Sequence, residues 1–143
     1  MHKKAGVLVG LLCGLIPSFA KAQQATATEV YGLRERCGKL AATVYDREYS
    51  PHTRTTATGG QQIFNYENHY SQKLNRCFYL EISTFIEKGT VSTSWRLYDI
   101  NENKEYGHYW QSGTSKFVDC IVGEVRCLSE DEFRNLAKPY LED

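Results

Sequence analysis

Apolar residues recur at helical spacing from Glu29 to about Arg47: Val30, Leu33, Cys37, Leu40, Ala41 and Val44, with Arg34, Glu35, Lys39 and Asp46 among the polar positions. Intervals of three and four are the signature of an amphipathic helix, and one is predicted here. Gly32 and Gly38 each weaken it by about 1 kcal/mol relative to alanine. Between 48 and 62 the period dissolves into Ser50-Pro51, threonines and Gly59-Gly60, so a long loop is expected. Period two takes over at Arg76. Phe78, Leu80, Ile82 and Ile86 alternate with Cys77, Tyr79, Glu81 and Ser83. After a turn at Lys88-Gly89, Val91, Thr93, Trp95 and Leu97 alternate with Ser92, Ser94, Arg96 and Tyr98. After Asn101-Glu102-Asn103, Tyr106, His108 and Trp110 alternate with Glu105, Gly107 and Tyr109. Residues 117–121 add a short fourth strand. Ser129 and Glu132 form a capping box before Phe133, Leu136, Ala137 and Tyr140, predicting a last helix from about Glu130 to Leu141.

The expected fold class is therefore α+β: an N-terminal helix, a three- to four-stranded antiparallel meander, a C-terminal helix and two disulfides. The apolar sheet face has an obvious cover in the two helices. The other face would then turn Tyr79, Tyr98 and Tyr109 toward solvent.

The start of the chain changes the picture of where this domain works. His2, Lys3 and Lys4 precede an uncharged apolar run from Ala5 to Phe19, and Ala20-Lys21-Ala22 is a small-x-small cleavage site. That is the order of parts in a secretory signal peptide. The run is shorter than the roughly 20 residues a membrane span needs. Cys13 lies within it, but Leu12 precedes the cysteine where a lipoprotein signal wants a small residue. The organisation expected is a signal peptide over 1–22, a flexible leader over 23–28 and one domain over 29–143, soluble after cleavage and exported to the periplasm or the medium.

Loss of Lys3, Lys4 and Lys21 lowers 17 basic residues to 14 against 17 acidic ones, a net charge near −3. Such a balance argues against nucleic acid, which needs basic clusters to neutralise phosphates, and equally against an anionic membrane surface. Four cysteines remain after cleavage: Cys37, Cys77, Cys120 and Cys127. An even number in an exported chain reads as two disulfides. Three connectivities are open; Cys120–Cys127 with Cys37–Cys77 is preferred, since Gly123 allows a turn between the first pair. No Cys-x-x-Cys occurs, which sets zinc and thiol redox roles aside.

The stretch Tyr66-Glu67-Asn68-His69-Tyr70, followed by Leu74 and Cys77-Phe78, resembles a pattern in a group of small exported bacterial proteins. Cys127-Leu128-Ser129 and Glu132-Phe133 resemble the later part of the same group. The resemblance spans about Tyr31 to the C-terminus. It implies export from a bacterial cell and paired cysteines, and it carries no catalytic role.

For chemistry, His69 stands out because Glu67 and Tyr70 are close in sequence, and a carboxylate beside an imidazole can tune a general base. Local hydrogen bonding at a strand entry accounts for the same residues. His52, His69 and His108 have no two-histidine helical spacing, so no metal and no cofactor are expected, and no catalytic set is assigned. Tyrosine and tryptophan are enriched at binding interfaces, while cross-strand tyrosine pairing serves sheet stability equally well. The tentative binding residues are His69, Tyr70, Tyr79, Tyr98 and Tyr109. The expected function is a protein-binding module of inhibitor or immunity type with a protein partner in the cell envelope. The alternatives are an envelope-acting hydrolase using His69, separable by His69→Ala, and an accessory structural envelope protein. The sequence sets no oligomeric state.

Overall fold

The computed structural model describes residues 25–113 and 115–142. The expected signal peptide and cleavage site, with Gln23 and Gln24 of the expected leader, lie outside the described residues. Helix α1 (Ala27–Tyr49) begins at Ala27 rather than Glu29. Thr26 and Glu29 close a capping box there: the Glu29 N–H donates to Thr26 Oγ1 (3.3 Å) and the Thr26 N–H to Glu29 Oε2 (2.7 Å). The later part of the expected leader is thus cap and first turn. The helix stops at Ser50, whose extended backbone is the conformation that a following proline favours.

Seven strands follow, β1 (Thr53–Thr55), β2 (Gln61–Ser71), β3 (Arg76–Glu87), β4 (Thr90–Asp99), β5 (Lys104–Gln111), β6 (Val118–Val122) and β7 (Val125–Arg126), and then helix α2 (Glu130–Leu141). Each strand pairs antiparallel with the next, so the sheet order is the chain order. The three- to four-stranded meander read from the sequence is corrected to seven strands. β3 to β6 are the strands that the alternation pointed to. β1 and β7, with three and two residues, are too short to carry a period. β2 lies partly in the expected loop. Its even positions Phe64, Tyr66 and Tyr70 do alternate with Ile63, Asn65, Glu67 and His69, but Asn68 interrupts the aromatic run. Neither of its sides is uniformly apolar, because each meets a different helix.

Two backbone features set the register. Lys88 (φ 49°) and Gly89 (φ 77°) are both left-handed, the requirement of a two-residue type I′ turn between β3 and β4. The β4–β5 register shifts between Leu97 and Tyr98, which pair with Gly107 and Glu105 and leave Tyr106 as an extra residue. Position 107 must be glycine, since a Cβ there would sit 2.7 Å from the Ile121 carbonyl oxygen.

The helices lie on opposite sides of the sheet, not together on one. On the α1 side, Tyr45 packs on Tyr66 (4.7 Å between ring centroids) and Tyr49 on Phe64 (4.6 Å). On the α2 side, Phe133 packs on Trp95 (5.4 Å) and Tyr140 on Phe78 (5.2 Å). Phe64 and Tyr66 face Ser83 and Glu81 in the register, whereas Phe78 lies on the other parity of β3. The main core fills the α2 side, where Phe78, Leu80, Trp95, Leu97, Tyr109 and Val122 meet Phe133 and Ala137. Each large side chain buried there contributes about 1.5–3 kcal/mol. α2 is capped by Ser129, whose Oγ accepts from the Glu132 N–H (3.2 Å).

Both preferred disulfides are formed. Cys37–Cys77 ties α1 to β3, and Cys120–Cys127 ties β6 to the segment entering α2. Loops of these lengths contribute ~4 and ~2.5 kcal/mol respectively in the chain-entropy picture. At the end of β4, Asp99 is buried and bonded to Arg76 Nη1 (2.6 Å) and to the Asn101 N–H (2.9 Å), so its charge is not left uncompensated. No helix among the described residues is long and apolar enough to cross a membrane.

Candidate functional site

The residues singled out in the sequence are dispersed over both sides of the sheet. His69 is half-buried in β2, opposite Phe78 and therefore on the α2 side. Its neighbour Glu67 is held by Arg134 Nη1 at 2.7 and 2.8 Å, so the carboxylate expected to tune the imidazole is committed to α2. Tyr70 faces α1, buried beside the Cys37–Cys77 bridge, and its hydroxyl donates to Asn75 Oδ1 (2.6 Å). Tyr79 is 0% exposed, stacked on Tyr66 (5.2 Å) and beside Tyr98 (5.2 Å). Tyr98 is half-buried. Tyr109 is 2% exposed and lies on the other side of the sheet, against Trp95 and Phe133.

The expectation that Tyr79, Tyr98 and Tyr109 share one solvent face is therefore corrected. α1 covers Tyr79, and the shift at Tyr106 brings Tyr109 onto the α2 side. Burial pushes the Tyr49 and Tyr79 hydroxyls well above the usual phenol range, with a hydrogen bond to Glu81 adding to it for Tyr49. Tyr98 is pushed up to about 12, first by burial and then by the Glu81 charge. These tyrosines belong to a packed cluster rather than to a surface.

What α1 leaves uncovered is the part of its own sheet side beyond Tyr98. The register puts Glu81, Arg96, His108, Ile121 and Arg126 in one row across β3 to β7. The next row holds Ser83, Ser94, Trp110 and Asp119. Arg96 Nη2 donates to Glu81 Oε2 (2.8 Å), and its guanidinium lies over the Tyr98 ring (5.6 Å). His108 lies between two carboxylates, with Nδ1 2.8 Å from Glu105 Oε1 and Nε2 3.6 Å from Asp119 Oδ2. Beside them Trp110 is 39% exposed and Phe117 63% exposed, their ring centroids 6.3 Å apart.

Chemically this strip is an apolar patch with a charged border. The two His108 pairs are largely exposed, and pairs of that kind contribute only about 0.2–1 kcal/mol, whereas Arg96 is held by Glu81, which is 12% exposed. His108 and Asp119 can therefore exchange their present partners for groups on another molecule at small cost. Trp110 and Phe117 supply apolar area that folding leaves in water. The strip escaped sequence reasoning because its residues come from four strands. The alternation did place His108 with Trp110, but which side of the sheet they share depends on the register and on where α1 lies. His52 is elsewhere, stacked on Tyr45 (4.2 Å) with Nε2 3.0 Å from Asp46. Among the described residues, no three His, Cys, Asp or Glu side chains are grouped to hold a metal ion.

Comparison with protein-family models, with curated proteins and with solved structures gives no match.

Proposed function

We propose that this chain is an exported, disulfide-bonded binding module of inhibitor or immunity type, which takes a protein partner in the cell envelope on the uncovered strip of β4 to β6. The observation that carries this reading is the exposed Trp110–Phe117 pair bordered by Arg96, His108 and Asp119. Tryptophan and arginine are the residues that most often dominate binding energy, in an apolar centre with a polar rim. Strands β4, β5 and β6 hold Arg96, His108, Trp110 and Asp119 on rigid elements, so little is lost in ordering those side chains on binding. Two disulfides support a place in an oxidising compartment, and the basic-apolar-small order of residues 1–22 supports export to periplasm or medium.

The test is affinity capture with oxidised Gln23–Asp143 as bait, against the envelope extract and culture fluid of the source cell, with mass-spectrometric identification. The expected result is one stoichiometric partner retained by the wild type and lost with Trp110→Ala/Phe117→Ala. A partner retained undiminished by that double variant would remove this strip as the binding surface. Folded bait that retains nothing would remove the binding-module reading itself.

A further inference from the structure

β1 covers the outer side of β2 only as far as Ile63. The next outward groups are those of Phe64, whose N–H donates to the His52 carbonyl (2.9 Å) and whose carbonyl accepts from the Tyr45 hydroxyl (2.6 Å). Successive residues of a strand point their main-chain groups to alternate sides, and β2 pairs with β3 in one unbroken register from Gln61 to Ser71. Tyr66, Asn68 and Tyr70 therefore also present their main-chain groups outward. No strand among the described residues pairs with them there. The Tyr66 N–H donates to Asn65 Oδ1 of the same exposed stretch (2.8 Å), a contact that an incoming carbonyl can replace. An edge of this kind is a template for an added strand.

Along this edge the residues suit a second copy of themselves in one register. Outward residues must face outward residues, so an antiparallel twofold pair is centred on a residue. Centred on Tyr66, it needs the Phe64 groups that His52 and Tyr45 already occupy. Centred on Glu67, it sets two Glu67 carboxylates directly opposite each other, which is destabilising. Centred on His69 or Tyr70, it runs into the β2–β3 turn and leaves Tyr66 unused. Centred on Asn68, it uses all three outward residues of each copy: Asn68 faces Asn68, and Tyr66 faces Tyr70. Glu67 then faces His69 of the second copy, an acceptor opposite an imidazole, at a non-hydrogen-bonded position where side chains come closest. On the α1 side the helix is small at the same point. A Cβ built on Gly38 would meet Asn68 Nδ2 at 4.0 Å, so it is a glycine that α1 carries beside Asn68. Small residues at a crossing let two helices approach closely.

We propose that the outer edge of β2 is a docking site for a second copy of this chain, with Tyr66, Asn68 and Tyr70 paired antiparallel about a twofold axis at Asn68. Two seven-stranded sheets join into one continuous sheet, and β2 is no longer an edge. The strip on β4 to β6 lies on the far side of β3, so the dimer presents it twice.

Sedimentation equilibrium on the oxidised chain from Gln23, from micromolar to millimolar concentration, tests this. A reversible monomer–dimer equilibrium is expected. Asn68→Pro removes the outward N–H at the axis from both copies while leaving the β2–β3 ladder intact, and is expected to weaken association by about tenfold. Gly38→Leu puts bulk between the two α1 helices and is expected to weaken it by about tenfold too, with the monomer still folded by circular dichroism. Trp110→Ala/Phe117→Ala is expected to leave it unchanged. In the wild type, amide exchange at Tyr66, Asn68 and Tyr70 should slow as concentration rises, which reads strand addition without any variant. A chain that stays monomeric throughout would overturn the proposal. So would a dimer that is lost with the Trp110/Phe117 variant, which would place the contact on the strip. Exchange at these amides that is slow at every concentration would show the edge to be covered within one chain, and would overturn the second copy as its occupant.

Discussion

The two sides of the sheet are stabilised in different ways. The α2 side is one continuous core, in which a helix of 12 residues brings Phe133, Ala137 and Tyr140 onto large rings from β3, β4 and β5. The α1 side is covered by a helix of 23 residues that buries only Val30, Cys37 and Ala41. There a disulfide and a tyrosine cluster, with Tyr79 buried and Tyr45, Tyr49, Tyr66 and Tyr98 half-buried, do what Phe78, Trp95 and Phe133 do on the other side. A short helix with large anchors covers its side well. A long helix with small anchors is pinned covalently at one point and leaves β4 to β6 open. The difference teaches that the free surface of this domain is set by how far α1 reaches across the sheet, not by the polarity of the strands alone.

The strongest way to break the comparison is Phe133→Ala. It should lower the unfolding free energy by about 3–5 kcal/mol, because it opens a cavity at the centre of the larger core; urea denaturation measures it. Cys37→Ser/Cys77→Ser should cost about 2–4 kcal/mol. Hydrogen exchange sharpens that result: α1 amides should lose protection well before those of α2. Equal loss on both helices would mean that the two sides form one cooperative unit.

Alkali should act chiefly on the α1 side, where burial raises Tyr45, Tyr49, Tyr79 and Tyr98, against Tyr109 on the α2 side. Tyr98 ionises near 10 when unfolded but at about 12 in the fold, with Tyr49 and Tyr79 raised as well. The folded state holds these protons more tightly, so their contribution is fully present below pH about 10 and is lost as the pH rises toward about 12. Thermal midpoints against pH should fall in that window, and less steeply for Tyr98→Phe. Smaller again is Tyr79→Phe. The Tyr79 hydroxyl is buried with no hydrogen-bond partner among the described residues. Removing it should stabilise the fold by about 1 kcal/mol, and a lower thermal midpoint would reveal a partner not accounted for. Smallest is Trp110→Ala, expected to change stability by no more than about 0.5 kcal/mol while abolishing capture of the partner. A large stability loss there would place Trp110 in the core rather than on a binding surface.

Local patterns in the chain carried much of this architecture. The period of three and four over Val30 to Val44, the alternation from Arg76 to Trp110 and the Ser129–Glu132 cap each correspond to an element, because each depends on neighbours in sequence. The preferred pairing of cysteines was legible too, since Gly123 lies in a short loop that closes readily. β2 was harder to see, because Asn68 breaks its aromatic run and two helices divide its two sides between them. Of the candidate strip, only the placing of His108 with Trp110 was legible. Arg96, the His108–Trp110 pair and Asp119 lie on β4, β5 and β6 and are brought together only by the register of those three strands.

By itself, then, the amino-acid sequence determined the two helices, the central strands and the cysteine framework. Those follow from side-chain period, local capping and composition. The tertiary structure decided that the helices take opposite sides, that Tyr79 and Tyr109 are buried, and that Trp110 is left at the surface. The physical reason is parity. A strand's alternation says which residues travel together, but only register, one extra residue at Tyr106 and the placement of α1 say which group meets water.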